Sequence, residues 1–289
     1  MRRGQHNSLE QDLVIGVLRK YDVNPRVATE VAPLDNPHFF CTVAYLYPTL
    51  QSYVAVDADW DKVLGESVWK SYCRKINEQS PPSVKTKFRR MLQDGEFKKV
   101  AGWYFNTGDF PSDLVFHNNS LPYSFPALNL AKSLRDIRAQ GLILIKGRAS
   151  YGEEIINLLE AVRKDLNFGI ETYLADSSAP HEHVLEQVEG LSLREWNETM
   201  RKWLGPSRKS FFIALKNRGG EISPRDCLEL AYRAWLEGYK FEVGLDAIRR
   251  EDMMKSFKEF GEGYLLRSLE EFDIAEEKQH VRNILQRIS

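Results

Sequence analysis

Apolar positions along the chain change period several times, and each change marks an element. From Ser8, residues Leu9, Leu13, Val14, Val17 and Leu18 share one helical face; Gln11, three positions on, completes a capping pattern, and Pro25 closes the segment. Three runs rich in Val, Thr, Phe and Tyr follow, at Arg26 to Val31, Phe39 to Tyr47 and Tyr53 to Asp57. They are punctuated by Pro33, Asn36-Pro37 and Pro48 and read as adjacent strands. A polar, basic stretch from Asp61 to about Gln79 reads as a helix, which Pro81-Pro82 breaks.

From Gly141 the pattern is clearest. Leu142 to Ile145 is a continuous apolar run, as a strand covered on both faces requires. Ser150 and Glu153 then cap a helix whose Ile155, Leu158, Leu159, Val162 and Leu166 share a face, and Gly169 turns the chain into a strand at Ile170 to Leu174. Strand, helix and strand make a βαβ unit. Ser177-Ser178-Ala179-Pro180 reads as a linker, and beyond it capping patterns at Ser192 and Ser223-Pro224-Arg225-Asp226 predict helices. The expected architecture is an α/β domain over 1–180, with a mixed sheet containing the βαβ unit. A smaller all-helical domain over 184–289 follows it, with a winged-helix-like bundle as one form.

Composition narrows the function classes. Forty basic residues nearly cancel 41 acidic ones, so any footprint for nucleic acid must be local. Three scattered cysteines, Cys41, Cys73 and Cys227, suit free thiols in a reducing, cytoplasmic setting and disfavour a cysteine-based zinc site. The N-terminus does not read as a signal peptide, and no segment approaches the length of a membrane helix.

Candidate chemistry concentrates in Val54-Ala55-Val56-Asp57-Ala58-Asp59-Trp60-Asp61. In a continued strand, Asp57, Asp59 and Asp61 point to one side, and three clustered carboxylates call for a cation. They form the candidate Mg²⁺ site, with Asp57 and Asp59 as catalytic residues for phosphoester chemistry. The Asp-x-Asp after an apolar strand resembles the nucleophile motif of haloacid-dehalogenase-type phosphatases, although Asp61 stands where that motif has Thr or Val. The same residues also suit a strand end, a turn cap and a first helical turn.

A second cluster, Lys85, Lys87, Arg89, Arg90, Lys98 and Lys99, precedes Trp103-Tyr104-Phe105 and suits a nucleic-acid strand, with cations for phosphates and rings for bases. A solvated helix face beside a core strand is the plainer reading. His181-Glu182-His183 offers two ligands without a third, and His6, His38, His117 and His280 are isolated. Lys146-Gly147-Arg148 follows a strand, where anions bind, but Glu153 and Glu154 oppose a phosphate. No GxxxxGK[ST], GxGxxG or GxSxG string occurs.

Ser223-Pro224-Arg225-Asp226, with Leu228, Leu230, Ala231 and Trp235 after it, resembles the helical lid of bacterial P-loop ATPases over about the last seventy residues. That resemblance implies a nucleotide-sensing role for Arg225, and the Walker A loop that would accompany it is missing. Taken together, the sequence points to a nucleic-acid-associated protein with Mg²⁺-dependent nuclease- or phosphatase-like chemistry. The alternative is a non-catalytic adaptor that docks a partner protein through 184–289.

Overall fold

The computed structural model of the chain describes residues 14–58, 60, 63–118, 120, 126–148, 168–176, 186–188 and 209–219, with isolated positions 255, 259, 279, 282, 283 and 286. Helix α1 occupies 14–20. Four further helices follow: α2 (His38–Leu46), α3 (Val63–Gln79), α4 (Pro82–Gln93) and α5 (Pro126–Asp136). The strands are β1 (Val27–Val31), β2 (Ser52–Asp57), β3 (Phe97–Ala101), β4 (Ser112–Asn118), β5 (Ile137–Arg148), β6 (Phe168–Asp176), β7 (Glu186–Val188) and β8 (Lys209–Asn217).

The eight described strands join one sheet in the order β3-β2-β1-β4-β5-β8-β6-β7. The first five in that order are parallel, and β8 runs antiparallel to both β5 and β6. This is a mixed α/β fold with a mostly parallel sheet, as the apolar runs predict. The sheet crosses the expected boundary near residue 180, because β7 and β8 lie within the segment read as all-helical. The βαβ unit is also modified: β5 and β6 point the same way, but β8 lies between them. Its helix, and most residues beyond 219, fall outside the described residues.

Phe39 to Tyr47 is helix α2, not a strand. The reason is topological: β1 and β2 are parallel neighbours, and such a pair needs a crossover between them. Phe39, Phe40, Val43 and Ala44 are buried at helical spacing, and Asn36 Oδ1 accepts the His38 N–H at 3.1 Å. Tertiary context thus overrides a strand-favouring composition.

Helices α1 to α4 cover one face of the sheet. Their core includes Leu18, Phe40, Tyr72 and Phe88, packed on Tyr53, Ala55, Phe97, Leu114 and Leu144. Phe40 meets Tyr53, Phe88 and Phe97 edge-on at 4.9, 5.5 and 5.3 Å, the arrangement that aromatic quadrupoles favour. Helix α5 and a short 3₁₀ turn (Tyr104–Asn106) lie on the opposite face. Lys132 of α5, with a wholly buried ammonium, pairs with Asp136 at 3.0 Å, and Tyr104 donates to the same carboxylate at 2.7 Å. In β5 the pairing slips between Ile137 and Leu142, where Gln140 takes φ 64° and Gly141 meets Ile137. A Cβ on Gly141 would lie 2.7 Å from the Ile137 side chain, so the irregularity requires glycine there.

Candidate functional site

The chain builds β1, β2 and β3 outward in one direction, then returns to place β4 on the other side of β1. Neighbouring loops diverge where the order reverses, and in open α/β sheets ligands bind in the crevice this leaves at the carboxyl ends of the strands. Here that position is bounded by the loop after β1, by Asp57 at the end of β2, by Asn118 at the end of β4 and by Ser120 beyond it.

The loop after β1 runs Ala32-Pro33-Leu34-Asp35-Asn36-Pro37. Ala32 has φ 58° and Leu34 φ 50°, values that normally select glycine. Partners hold this backbone in place. Ala32 N–H donates to the Val56 carbonyl at 2.8 Å, Leu34 N–H donates to Asp57 Oδ2 at 2.8 Å, and Trp60 Nε1–H donates to the Leu34 carbonyl at 3.1 Å. Asp35 accepts from Lys75 Nζ at 2.6 Å and from Ser71 at 3.1 Å. Burial works against the ionised form of Asp35, but the hydrogen bond and charge of Lys75, helped by Ser71, hold its pKa below the usual carboxylate range. Leu34 itself is 50% exposed.

Glu30, Asp57, Asn118 and Lys146 each lie two positions beyond Ala28, Ala55, Phe116 and Leu144, which face α1 to α4, so all four point to that side. Glu30 is wholly buried; Tyr53 donates to its Oε2 at 2.5 Å, and its Oε1 has no hydrogen-bond partner among the described residues. Burial pushes the Glu30 carboxyl up to about 8, the Tyr53 bond works against the rise, and the charges of Asp57 and Lys146 act in opposite senses. Lys146 of β5 is buried opposite Asn118 of β4. On the other face His117 contacts Ser120 through Nδ1 at 2.9 Å and Ser133 through Nε2 at 2.6 Å.

Of the expected aspartate site, Asp57 lies among the described residues. β2 stops at Asp57, with turns at Ala58 and Trp60, so the alternation that would align Asp57, Asp59 and Asp61 does not continue. Asp57 is 3% exposed and caps the Leu34 amide, and Asp59 and Asp61 lie outside the described residues. Among the described residues, no group of three or more His, Cys, Asp or Glu side chains could hold a metal ion.

The basic residues are dispersed in their roles. Lys87 Nζ donates to the carbonyls of Tyr47 and Pro48 at 2.8 and 3.1 Å, closing the end of α2. Arg89 contacts Asn77 at 3.3 Å, and Lys99 lies 5.9 Å from the Trp69 ring. Lys98 and Lys99 are exposed on β3, an edge strand, where lysines discourage pairing with other chains. Lys85 is half-buried and Arg90 exposed on α4. Trp103-Tyr104-Phe105 forms the 3₁₀ turn and its lead-in, not a strand. Lys146 is a buried residue of β5, paired in register with Asn118. His181-Glu182-His183 and Arg225 lie outside the described residues.

Sequence reasoning missed Glu30, His117 and Ser120. Glu30 carried a signal: a carboxylate at an inward position of an apolar strand, Val27-Ala28-Thr29-Glu30-Val31. His117 and Ser120 carried none, because their partner Ser133 comes from another element.

No family model matches the chain, and no curated protein does. Solved structures do match, at low identity. The O-methyltransferase TomG from Streptomyces achromogenes is similar at 11% identity over 75% of this chain and 81% of that one, with a TM-score of 0.42. An O-methyltransferase from Bacillus cereus is similar at 13% identity over 75% and 82%, with a TM-score of 0.40. A candidate RNA methyltransferase from Pyrococcus horikoshii is similar at 12% identity over 72% and 83%, with a TM-score of 0.43.

These findings, with the strand order, correct four expectations. The resemblance to an ATPase lid is not supported, since the matching structures named above are methyltransferases and the loop after β1 is no phosphate loop. Nuclease- or phosphatase-like chemistry gives way as well, since none of the structures named above is described as a nuclease or phosphatase. Mg²⁺ goes with it. The non-catalytic adaptor is likewise not what the matching structures are described as. No helix among the described residues is long and apolar enough to cross a membrane.

Proposed function

We propose that the crevice over β1, β2 and β4 binds S-adenosylmethionine and that the protein is a methyltransferase. One observation carries this reading: a carboxylate, Asp57, ends the second strand of a doubly wound sheet beside the switch point. That is where such folds hold ribose hydroxyls. A carboxylate has about four lone-pair sites, so accepting the Leu34 amide does not exhaust Asp57.

The loop after β1 decides which nucleoside fits. Pyrophosphate binding in this fold uses glycines that bare the backbone. Here Pro33 and Leu34 add bulk and Asp35 adds negative charge. A dinucleotide would meet both, whereas an adenosine carrying no phosphate meets neither. S-adenosylmethionine, named with some of the matching structures, is such a molecule. Asp57 would accept its ribose hydroxyls, the loop Ala32 to Leu34 would flank it, and the chain after Ala101 would border the base. When bound, it supplies an electrophilic methyl group on a sulfonium, whose positive charge the carboxylates of Asp35 and Asp57 favour.

The methyl acceptor fits an anionic polymer through half-buried Lys85 and the exposed cations Arg89, Arg90 and Lys98, a reading in keeping with one neighbour's description as an RNA methyltransferase.

Calorimetric titration tests the cofactor reading. The native chain is expected to bind S-adenosylmethionine and to ignore NAD⁺, and Asp57→Ala should weaken binding about tenfold or more. Binding of NAD⁺ in preference, or no response to S-adenosylmethionine, would overturn it.

A further inference from the structure

The loop after β1 is held from two sides, and the second side is helix α3. From β2, Val56 and Asp57 accept the amides of Ala32 and Leu34, and Trp60 just beyond donates to the Leu34 carbonyl. From α3, Ser71 and Lys75 both donate to Asp35 Oδ2, at 3.1 and 2.6 Å. Their spacing of four residues puts both side chains on one helix face. The same helix also backs the indole: the Trp60 ring lies 5.1 Å from Trp69 and 5.8 Å from Tyr72, and Trp60 and Tyr72 are buried. Helix α3 thus reaches the Leu34-Asp35 step twice, through Trp60 on the carbonyl and through the Asp35 carboxylate.

That step matters because Leu34, with φ 50°, is the residue whose amide orients the Asp57 carboxylate. A non-glycine residue leaves the left-handed region unless its neighbours over-determine it. Asp35 comes next in the chain, so its tie opposes the rotation that would carry the Leu34 amide away from Asp57. We propose that Ser71 and Lys75 are positioning residues: by clamping Asp35 they hold the Leu34 amide on Asp57 and keep the crevice shaped for its ligand. The proposal rests on the adenosine reading and adds a helix that acts through the loop rather than on the ligand. The clamp is an ion pair whose lysine and aspartate side chains are 30% and 44% exposed, so dissolved salt weakens it. The loop's ties to β2 and Trp60 involve backbone groups and a buried carboxylate, which salt screens far less. Ligand affinity therefore carries a salt dependence that originates at α3.

Calorimetry with S-adenosylhomocysteine, an overall neutral probe, and exchange of the Leu34 amide test the clamp in the full chain. Lys75→Met should weaken the probe by up to about fivefold, the range of an exposed ion pair, and Ser71→Ala by less. Lys75→Arg should restore the affinity. In the native chain affinity should fall from low to high salt, and Lys75→Met should lose that fall. Asp35→Asn combined with Lys75→Met should bind no more weakly than the weaker of the two single variants. Exchange of the Leu34 amide, followed by NMR without ligand, should quicken in Lys75→Met and in high salt. A tie that only stabilises the fold would lower resistance to urea and leave affinity, its salt response and Leu34 exchange at native values; that result overturns the proposal. Tighter binding by Lys75→Met overturns it too, since Asp35 would then be meeting the ligand itself. If the native chain does not bind the probe, the adenosine reading fails, and Leu34 exchange alone decides whether the clamp operates.

Discussion

Ala32 and Leu34 carry side chains on a backbone suited to glycine, and the loop keeps that shape because Val56, Asp57 and Trp60 hold it. A left-handed conformation costs a non-glycine residue about 1–2 kcal/mol, and glycine offsets roughly half of that gain through its own entropy. Leu34→Gly, at a half-exposed position, is therefore expected to raise stability by up to about 1 kcal/mol in urea unfolding. A clear loss would mean that the Leu34 side chain packs usefully. Glu30 gives the second residue-scale test. Its pKa rises from an ordinary 4.5 to about 8 through burial, so between these values the folded state holds a proton that the unfolded state has released. Stability from this group is fully present below about pH 4.5 and is lost as pH rises through 8. Glu30→Gln should flatten that alkaline fall; an unchanged pH profile would show that Glu30 titrates normally. His117 acts in the opposite direction, since a depressed pKa removes stability as pH falls from 6.5 towards 3.

Among the elements, α5 and the 3₁₀ turn depend on one buried cation. Lys132 lies between Asp136 and the rings of Tyr104 and Phe110, with its ammonium 5.2 and 5.4 Å from their centres. Removing one partner of a buried pair leaves the other charge uncompensated, so Lys132→Met is expected to cost about 3–5 kcal/mol in urea unfolding. A cost below about 1 kcal/mol would show that water reaches Asp136. Helix α4 tests the acceptor reading. Replacing Lys85, Arg89, Arg90 and Lys98 with Ser should reduce both RNA affinity and the slope of its salt dependence. Replacing Lys87 should act mainly on stability, because its ammonium closes α2. RNA binding that ignores salt or these changes would remove the polymer from the proposal.

How legible each element was depended on whether its cause was local. β1, β2 and the core of β5 could be read because apolar runs there face helices on one or both sides. α2 was misread because Phe, Val, Thr and Tyr favour strands locally, and only the parallel pairing of β1 with β2 demands a helix. At the site, Asp57 was legible as the carboxylate at a strand end, but its role was not. The role proposed for it depends on β4 returning beside β1, a contact between residues more than eighty positions apart, such as Thr29 with Ser112.

At the scale of the whole molecule, one sheet carries the described strands from β1 through β8, and the crevice exists because that sheet reverses its order between β1 and β4. Asp113 reinforces this junction by accepting the amides of Arg26 and Val27 at 2.8 and 2.9 Å, so the start of β1 is locked to β4. The central claim is that a phosphate-free adenosine cofactor lies across the carboxyl ends of β1, β2 and β4. The most direct measurement is amide NMR of the labelled chain titrated with S-adenosylmethionine. Shifts are expected to concentrate at Ala32 to Asp35, Asp57 to Ala58 and Asn118 to Ser120. Shifts at the opposite ends of these strands, around Arg26, Ser52 and Ser112, or no shifts at saturating ligand, would contradict it.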